Sequence, residues 1–355
     1  MGVAVADGTA EVLAEVLGAW TWHGEASATV LSGGLINASW RVRDARGDVA
    51  VVQRLNTQIF GPEVHLDLHA VTEHLAAKGL ATPRLIQTQT GSMWFEHASG
   101  VYRALTWIGD ATLHRFTSLA QARSAAVLVA RFHGALRDFD RPFSHVREGA
   151  HDVGRHLLGL RDAVDCRKGH PLHAEVASLS DALEAAWERL SPQLPQGLPK
   201  RVIHGDLKVS NIRFEEGQAL ALVDLDTLAR GTLDVELGDA LRSWCNRASE
   251  DSAAPAFDEA LFSAASGAYV AEARRWGLSD VEASAIRPGV ARVALTLAAR
   301  FARDALEERY FGWDRARFGS AGEHNLLRAR GQAALVGQVV PSAAVSRSGA
   351  GTEAS

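Results

Sequence analysis

The sequence predicts an α+β protein in which a small β-rich lobe precedes a larger, mostly helical lobe. Strand-like runs around one helical segment dominate the first hundred or so residues, and alanine- and leucine-rich helical stretches cover most of the rest. A short β-rich island at residues 201–230 interrupts those helices. The chain has 355 residues, too many for one compact core. We therefore predict an N-lobe over 1–105 and a C-lobe over 106–340, joined by a hinge at 106–110.

The N-lobe prediction depends on changes of hydrophobic period along the chain. Its predicted elements are a helix at 10–19, strands at 36–42 and 49–55, a helix at 64–80, and short strands at 84–87, 92–96 and 101–108. Between Ile36 and Val42, apolar and polar residues alternate, which is typical of a strand. The second helical pattern stops at Gly79, with Pro83 shortly after it, and this combination commonly ends a helix.

The C-lobe prediction depends on long apolar periodicities. The predicted helices cover 118–137, 172–190, 255–276 and 286–309. The segment 191–199 contains three prolines and predicts a loop that leads into the β-rich island. The last residues, 341–355, have no apolar periodicity, so we predict a disordered tail.

Composition excludes several classes of protein. With 47% hydrophobic and 22% charged residues, the chain is typical of a soluble globular protein. Its net charge of −5 gives no support to nucleic-acid binding. The sequence has no run of about 18 apolar residues, and the N-terminus lacks the basic start of a secretory signal, so we expect a cytoplasmic protein without membrane contact. Only Cys166 and Cys245 are present, which excludes a disulfide framework. Monomer and homodimer both remain open.

The β-rich island contains an ordered set of polar residues suited to phosphoryl transfer. His204, Asp206 and Asn211 fit the pattern H-x-D-x-x-x-x-N, and the next strand-like run ends in Asp224-Leu225-Asp226. Phosphoryl transfer needs a carboxylate that accepts the proton of the attacking hydroxyl, and magnesium is commonly held by carboxylate and amide oxygens. Asp206 suits the first role, Asn211 and Asp224 suit the second, and Asp226 could add a further ligand. Each residue alone could simply belong to a polar turn, but the ordered set is specific.

On these motifs the chain resembles the aminoglycoside phosphotransferase/choline kinase superfamily, whose fold is similar to that of protein kinases. The resemblance implies a bilobal protein-kinase-like fold, ATP and Mg²⁺ as cofactors, and a small-molecule acceptor. It implies Asp206 as the catalytic base, and Asn211 and Asp224 as magnesium ligands. His204 would be a scaffold residue of the catalytic loop. Lys208 could contact the γ-phosphate or the acceptor, or could be an ordinary surface residue.

Four further segments resemble the N-acetylhexosamine 1-kinase branch of this superfamily. They are VVQRLNTQIFGPEV, VDLDTLARGTLDVELGDALRSWCN, LTLAARFARDALEERYF and NLLRARGQ, and the resemblance runs from about Gly33 to Gln332. It implies an amino sugar as acceptor, phosphorylated on the anomeric hydroxyl. One departure is His-Gly-Asp-Leu-Lys, where that branch often has His-Asn-Asp-Thr-Lys. This departure bears on the acceptor and leaves the type of reaction unchanged.

The nucleotide would bind beneath the segment SGGLINAS at 32–39. Gly33 and Gly34 permit close backbone approach and leave N–H groups for anionic oxygens, and we include Asn37 among the nucleotide-binding candidates. A glycine pair of this kind could also be a simple hairpin turn. Adenine would lie against the hinge, where the backbone of three residues could contact it: Thr106, Trp107 and Ile108.

The second strand should offer a cation to the phosphates, but it has no lysine. Gln53 and Arg54 lie on opposite faces of a strand, so only one can point inward. We favour Arg54 because it carries a charge. The acid expected on the N-lobe helix could be Asp67 or Glu73.

The acceptor candidates lie in the helical lobe: Asp239, Arg242, Asn246 and Arg300. Asp239 could instead hold the catalytic loop by accepting backbone N–H bonds. Arg242 and Asn246 are four residues apart and share a helix face, as do Thr296, Arg300 and Asp304. Either face could line the acceptor cleft or meet solvent.

Two alternatives remain open at this point. The first keeps the reaction and changes the acceptor to an aminoglycoside, a choline-like amine or homoserine. The candidate cleft carries Arg242, Arg300 and Arg303, which favours a neutral sugar over a cationic acceptor. The second alternative is a catalytically silent nucleotide-binding regulator. The intact Asp206, Asn211 and Asp224 argue against it, whereas the missing strand lysine keeps it open.

Overall fold

The computed structural model describes residues 7–31, 37–144 and 151–340, and within them the protein is an α+β protein. Its strands are β1 (Ser27–Leu31), β2 (Ala38–Asp44), β3 (Gly47–Arg54), β4 (Leu85–Ile86), β5 (Phe95–His97), β6 (Gly100–Thr106), β7 (Ala111–Thr112), β8 (Arg201–Ile203), β9 (Ile212–Glu215), β10 (Gln218–Leu222) and β11 (Ala229–Gly231). Its helices are α1 (Asp7–Leu17), α2 (Val64–Ala77), α3 (Leu119–Ala135), α4 (Val153–Cys166), α5 (His173–Leu190), α6 (Leu233–Cys245), α7 (Glu259–Ala273), α8 (Asp280–Ser284), α9 (Ile286–Glu307) and α10 (Ala321–Val339).

The described chain divides into two compact units that each contain several segments. The first comprises the described parts of 1–148, 199–236 and 263–279, and the second those of 149–198, 237–262 and 280–355. The predicted lobe boundary at 105/106 falls inside the first unit, because the β-rich island packs in the same unit as the N-terminal strands. The predicted tail at 341–355 lies outside the described residues.

The main sheet of the first unit is antiparallel, with strand order β1-β2-β3-β6-β4 and β5 paired to β6. The hairpin of β2 and β3 forms where alternation predicted it, and its register pairs Ser39 with Gln53. On the other side of β3, Gln53 pairs with Arg103 of β6. Directly paired residues point to the same face of a sheet, so these three side chains share one face.

The opposite face of this sheet carries an apolar cluster that α1 helps to cover. Trp20, Trp40, Val42 and Val52 belong to it, and each is at most 9% exposed. Burial of such side chains supplies most of the favourable free energy of folding. This packing accounts for the position of the hairpin, and it leaves the polar face of the sheet for the site.

Two small antiparallel sheets make up the island. One has the order β10-β9-β7, and the other pairs β11 with β8. The turn between β8 and β9 contains His204 to Asn211, and Asp224 to Asp226 follow β10 after one residue, Val223. Both polar segments are therefore connections between short buried strands.

The second unit is helical, with α4, α5, α9 and α10 around one apolar core. Alanines and larger apolar residues of α9, including Leu295, Ala298 and Phe301, are at most 3% exposed. Small residues let the neighbouring helices approach α9 closely. Among the described residues, none of the helices combines the length and apolar character needed to cross a membrane.

Candidate active site

The turn that carries His204, Gly205 and Asp206 is held by a buried carboxylate. Glu236 of α6 is 3% exposed and accepts the backbone N–H of His204 at 2.8 Å and that of Gly205 at 3.0 Å. Burial by itself would raise the pKa of the Glu236 carboxyl, but the neighbouring His133 lowers that pKa overall, so Glu236 is charged. Sequence analysis considered Asp239 for this task; in the structure Glu236, three residues earlier, performs it.

His204 ties the turn to the end of β10. Its ring is fully buried, its Nδ1 accepts the N–H of Asp206 at 3.3 Å, and its Nε2 contacts the carbonyl oxygen of Val223 at 2.9 Å. With its proton on Nε2, the ring donates to Val223 and accepts from Asp206. These contacts fix the turn, and the scaffold role of His204 in catalysis stays a prediction.

Asp206, Lys208 and Asn211 form one hydrogen-bonded group. The Lys208 ammonium donates to Oδ2 of Asp206 at 2.8 Å and lies 3.9 Å from Oδ2 of Asp224. The Asn211 amide nitrogen donates to the main-chain oxygen of Asp206 at 2.8 Å and to its Oδ2 at 3.1 Å. Oδ1 of Asp206 accepts no hydrogen bond from another described residue, so one carboxylate oxygen is available to an acceptor hydroxyl.

The surroundings of Asp224 suit a bound cation. Burial raises the pKa of its carboxyl, as do the negative charges of Asp226 and Asp206, while Lys208 opposes them. A divalent ion would relieve this repulsion. The described residues contain no group of three or more His, Cys, Asp or Glu side chains placed to hold a metal. A Mg²⁺ ion here would instead use the Asp224 carboxylate and the side-chain amide oxygen of Asn211, together with phosphate oxygens. Mg²⁺ is usually held with nucleotides in this way.

Asp226 is engaged differently from the metal ligand that the sequence suggested. Its Oδ1 accepts from Nη1 of Arg103 at 2.6 Å, and its Oδ2 accepts from Nη2 at 2.7 Å. Nδ2 of Asn37 donates to Oδ2 as well, at 2.8 Å. Both side chains of the ion pair are 1% exposed. Because both oxygens already accept strong hydrogen bonds, the structure pairs Asp226 with Arg103 and argues against it as a metal ligand.

The cation on the polar face of the sheet is Arg103 of β6, whereas the sequence pointed to a residue of β3. Gln53 faces inward and accepts from Nε of Arg103 at 3.0 Å and from Nη2 at 2.8 Å. Arg54 is exposed and its stem lies beside Gly100. Strand alternation therefore places Arg54 on the face opposite Gln53, which does not favour the expected contact of Arg54 with the phosphates.

The two candidate acids of α2 have other partners. Asp67 accepts from the N–H of Ser144 at 2.7 Å, and Glu73 pairs with Arg84 near the surface. His65 of α2 is close enough to Arg103 for that positive charge to lower the pKa of its ring. The ring is fully buried and stacks on Trp94, with 5.3 Å between the ring centroids.

The predicted hinge is fixed by Arg213 of β9. This arginine donates to the carbonyl oxygens of Ile108 and Gly109, both at 2.8 Å, and lies 5.0 Å from the Trp107 ring. The N–H groups of Thr106 and Trp107 donate to Arg84 and Val49. The N–H of Ile108 donates to no other described residue, and contact of the hinge with adenine stays a prediction.

The phosphate-loop candidates are only partly described. Gly33 and Gly34 lie outside the described residues. Asn37 is 7% exposed, and besides its bond to Asp226 it accepts the N–H of Asn56 at 2.9 Å through Oδ1. Its side chain is therefore held between the sheet and the segment after Asp224.

The acceptor candidates of the second unit are largely engaged with one another or with their own loops. Arg242 donates to Asp239 at 3.0 Å and to Glu250 at 3.4 Å. Oδ1 of Asn246 accepts the N–H groups of Ala248 and Ala256 and so shapes a turn.

The third candidate region is the helix face of α9. Thr296 donates to the Arg292 carbonyl oxygen of its own helix, and Asp304 holds the loop that follows. Arg300 lies over the rings of Tyr310 and Phe311, at 5.5 and 5.4 Å. Acceptor binding by Arg300 stays a prediction.

Sequence reasoning missed Arg103, Arg213 and Glu236. Arg103 did carry a signal, since it is the single charged residue within the apolar strand VYRALT. Arg213 and Glu236 carried none, because their partners are backbone groups distant in sequence.

Similarity to known proteins extends over most of the chain. The model of the phosphotransferase enzyme family (APH) matches residues 27–276. A homoserine kinase from Methylorubrum populi is 28% identical over 174 residues, which are 48% of this chain and 50% of that protein. The chain thus spans about half the length of the curated relatives it matches.

Solved structures show the same fold. An aminoglycoside phosphotransferase from Alicyclobacillus acidocaldarius superposes with a TM-score of 0.63 at 14% identity, covering 96% of both chains. Amicoumacin kinase, solved in complex with AMP-PNP, Ca²⁺ and Ami, gives a TM-score of 0.64 at 12% identity, over 94% of this chain and 95% of that one. The expected protein-kinase-like fold is confirmed, and the matched family model covers most of the chain, from the first strand of the sheet to beyond α7. The chain belongs to the phosphotransferase enzyme family.

Proposed function

We propose that the protein is a kinase that transfers the γ-phosphate of ATP to a hydroxyl group of a small molecule, with Mg²⁺ as the metal. The observation that supports this most is the group of Asp206, Lys208 and Asn211 beside Asp224, within distances of 2.8 to 3.9 Å. The family match and the AMP-PNP and Ca²⁺ in a neighbour of the same fold support the choice of cofactors.

In this mechanism, Asp206 accepts a proton through its available Oδ1. The acceptor oxygen forms a bond to the γ-phosphorus while the bond from that phosphorus to the β,γ-bridging oxygen breaks, and the proton of the hydroxyl passes to Asp206. Lys208 is placed to compensate negative charge on the transferred group. A divalent cation on Asn211 and Asp224 would neutralise charge on the phosphate oxygens.

Positioning is the main contribution that a protein makes to this reaction. Here the turn is held from three directions: Glu236 binds two of its N–H groups, Thr227 donates to the carbonyl oxygen of His204 at 2.8 Å, and the His204 ring binds Val223. Asp206 is therefore oriented before any ligand binds.

We propose an amino sugar phosphorylated at its anomeric hydroxyl as the first candidate acceptor. The resemblance of several segments to N-acetylhexosamine 1-kinases supports it, and Arg300 beside Tyr310 and Phe311 offers aromatic surface of the kind that sugars bind. Homoserine is the second candidate, and the curated relatives favour it. The arginines of the candidate cleft do not distinguish between an amino sugar and homoserine, because Arg242 and Arg303 are paired with acids of their own unit.

A panel of acceptors tests the proposal. Wild-type protein with Mg²⁺ and ATP should phosphorylate N-acetylhexosamines or homoserine faster than choline or aminoglycosides, measured as acceptor-dependent ADP release and by mass of the product. Asp206→Asn should lower kcat by about a thousandfold or more while nucleotide affinity changes little. If Asp206→Asn kept near-normal turnover, the assignment of Asp206 as base would be wrong. If wild-type protein bound Mg-ATP but transferred to none of these acceptors, the silent regulator would be favoured.

A further inference from the structure

The buried ion pair of Arg103 and Asp226 lies at the centre of a continuous polar chain in the first unit. Two parallel bonds of 2.6 and 2.7 Å join the guanidinium to the carboxylate. Gln53 accepts from Arg103 and donates to the Ser39 hydroxyl at 3.0 Å. On the other side, Asn37 donates to Asp226. This series of hydrogen bonds therefore connects β2, β3 and β6 to the segment that follows β10.

Stability alone does not explain a pair of this kind. Removing two charges from water is costly, and replacing a buried ion pair by apolar residues of similar volume is often neutral or stabilising. The pair does fix geometry, because a bidentate contact defines both the distance and the plane of the carboxylate. The question is therefore which group it positions.

The group beside it is Asp224, two residues before Asp226. Asp224 has φ 63° and ψ 54°, a left-handed conformation that is uncommon for a residue with a side chain. The backbone is fixed before it by the bond from the N–H of Val223 to the carbonyl oxygen of Asn211, at 2.9 Å. After it, the short 3-10 turn Leu225–Thr227 contains Asp226, whose carboxylate is bound to Arg103. Asp224 is thus held in a strained conformation by anchors on both sides.

We propose that the Arg103–Asp226 pair, together with Asn37, is a positioning device that holds Asp224 in the orientation needed to bind the metal-nucleotide complex. This inference rests on the proposed kinase function. The pair joins β6 to the segment after β10, whereas the sequence pointed to a cation of β3 that contacts the phosphates and an acid of α2 as its partner.

Three variants test the device. Asp226→Asn keeps the shape and removes the charge, Arg103→Lys keeps the charge and removes the bidentate contact, and Arg103→Met with Asp226→Leu replaces the pair by apolar side chains. Glu73→Gln is the matched control, since Glu73 forms an arginine pair of the same chemistry with Arg84 near the surface. The double variant is included because apolar replacement preserves folding when a single change leaves one buried charge unpaired.

Two readouts are needed. The first is hydrogen–deuterium exchange of the amides at 224–228 in metal-free, nucleotide-free protein, which we expect to become at least tenfold faster in the variants while the core helices stay protected. The second is the Mg²⁺ concentration for half-maximal binding of AMP-PNP by calorimetry. We expect it to rise at least tenfold in Asp226→Asn and in the double variant, less in Arg103→Lys, and to stay within twofold in Glu73→Gln.

The failures can be told apart. If the folded double variant kept both the wild-type exchange rates and the wild-type Mg²⁺ requirement, the positioning role would be overturned. Loss of folding in all three variants would show that the pair is only a structural element, which also overturns it. If wild-type protein bound no AMP-PNP at any Mg²⁺ concentration, the proposed function would fail, and the exchange experiment alone would decide the positioning role.

Discussion

Gly205 stands between two site residues in a conformation that favours glycine. Its φ is 80°, and a Cβ built on it would lie 2.5 Å from the carbonyl oxygen of Thr227. That oxygen belongs to the backbone of the segment after Asp224, so the contact cannot be relieved by a side-chain rotation. Asparagine, which the N-acetylhexosamine 1-kinase branch often has here, would bring the same Cβ. The departure His-Gly-Asp therefore has a structural cause in this protein.

We predict that Gly205→Ala is markedly more destabilising than Gly217→Ala. Gly217 has a φ of 77° and nothing within 4 Å of its Cβ position, so alanine there meets only the left-handed penalty of about 1 kcal/mol. Gly205→Ala should lower the free energy of unfolding by roughly 2 kcal/mol more, because the turn must also move away from Thr227. Urea unfolding of both variants measures this, and equal losses would contradict the close approach.

His65 is a buried neutral histidine whose charge state is coupled to folding. Burial lowers the pKa of its ring to about 4, and the positive charge of Arg103 acts in the same direction. Its Nδ1 lies 2.7 Å from the carbonyl oxygen of Pro62, which accepts the ring proton. The ring is therefore an uncharged part of the packing on Trp94 at neutral pH.

A pH dependence of stability follows from this shift. The unfolded chain binds a proton on His65 near pH 6.5, whereas the folded protein does so only near pH 4. Stability from this group is therefore complete above pH 6.5 and is lost as the pH falls to 4, by about 3 kcal/mol in total. His65→Phe keeps an aromatic ring against Trp94 and should remove this component. Urea unfolding from pH 8 to pH 4 checks it, and parallel curves for both proteins would refute it.

The members of the candidate site could be identified from the sequence, whereas their partners could not. The spacing of Asp206, Asn211 and Asp224 is a property of one local stretch, and the structure brings the three together. Whether Gln53 or Arg54 points inward depends on strand register, which adjacent residues do not encode. Asp226 has the same chemistry as Asp224, so only the position of Arg103 distinguishes an ion pair from a metal ligand.

At the level of elements, the loop after α9 depends on one buried carboxylate. Asp304 is 3% exposed and accepts three successive N–H groups, those of Arg309, Tyr310 and Phe311, at 2.8 to 3.0 Å. Asn325 of α10 donates to the same carboxylate at 3.0 Å. The helix, the loop and α10 are therefore joined at a single side chain.

We predict that Asp304→Asn destabilises the protein by about 3 kcal/mol, because the new NH₂ group would face N–H donors and the charge-assisted bonds would be lost. Asp314→Asn is the control in the same loop. Asp314 accepts the N–H of Ala316 at 2.9 Å in an exposed turn, and this contact survives the change to asparagine. Thermal and urea unfolding compare the two, and losses of similar size would show that Asp304 does not organise the loop.

Alanine- and leucine-rich stretches predicted four helices of the chain, whereas β1 and α4 were not predicted. The helices α3, α5, α7 and α9 lie within the predicted stretches. β1 was missed because it is a mostly exposed edge strand in which no apolar alternation is required. α4 was not predicted, although its buried residues Val153, Leu157 and Leu160 have helical spacing.

At the scale of the whole molecule, the site draws on segments that are far apart in sequence. Asn37, Arg103 and Asp226 are separated by up to 189 residues, yet direct hydrogen bonds join them. Strand pairing brings Gln53 and Arg103 together, and the packing of the island within the first unit adds the turn of Asp206. An arrangement assembled in this way exists only in the folded protein, so ligands of the site should stabilise the whole first unit.

We therefore predict that Mg²⁺ and AMP-PNP together raise the free energy of unfolding by about 2.7 kcal/mol when the complex is present at about 100 times its dissociation constant. Mg²⁺ alone should have little effect, since the described residues offer it no complete set of ligands. Asp206→Asn should keep the stabilisation, because this change removes the proton acceptor and not the metal ligands. Asp224→Asn should lose most of it. Thermal unfolding across a titration of the complex measures all three proteins, and equal shifts in the two variants would show that Asp224 does not bind the metal-nucleotide complex.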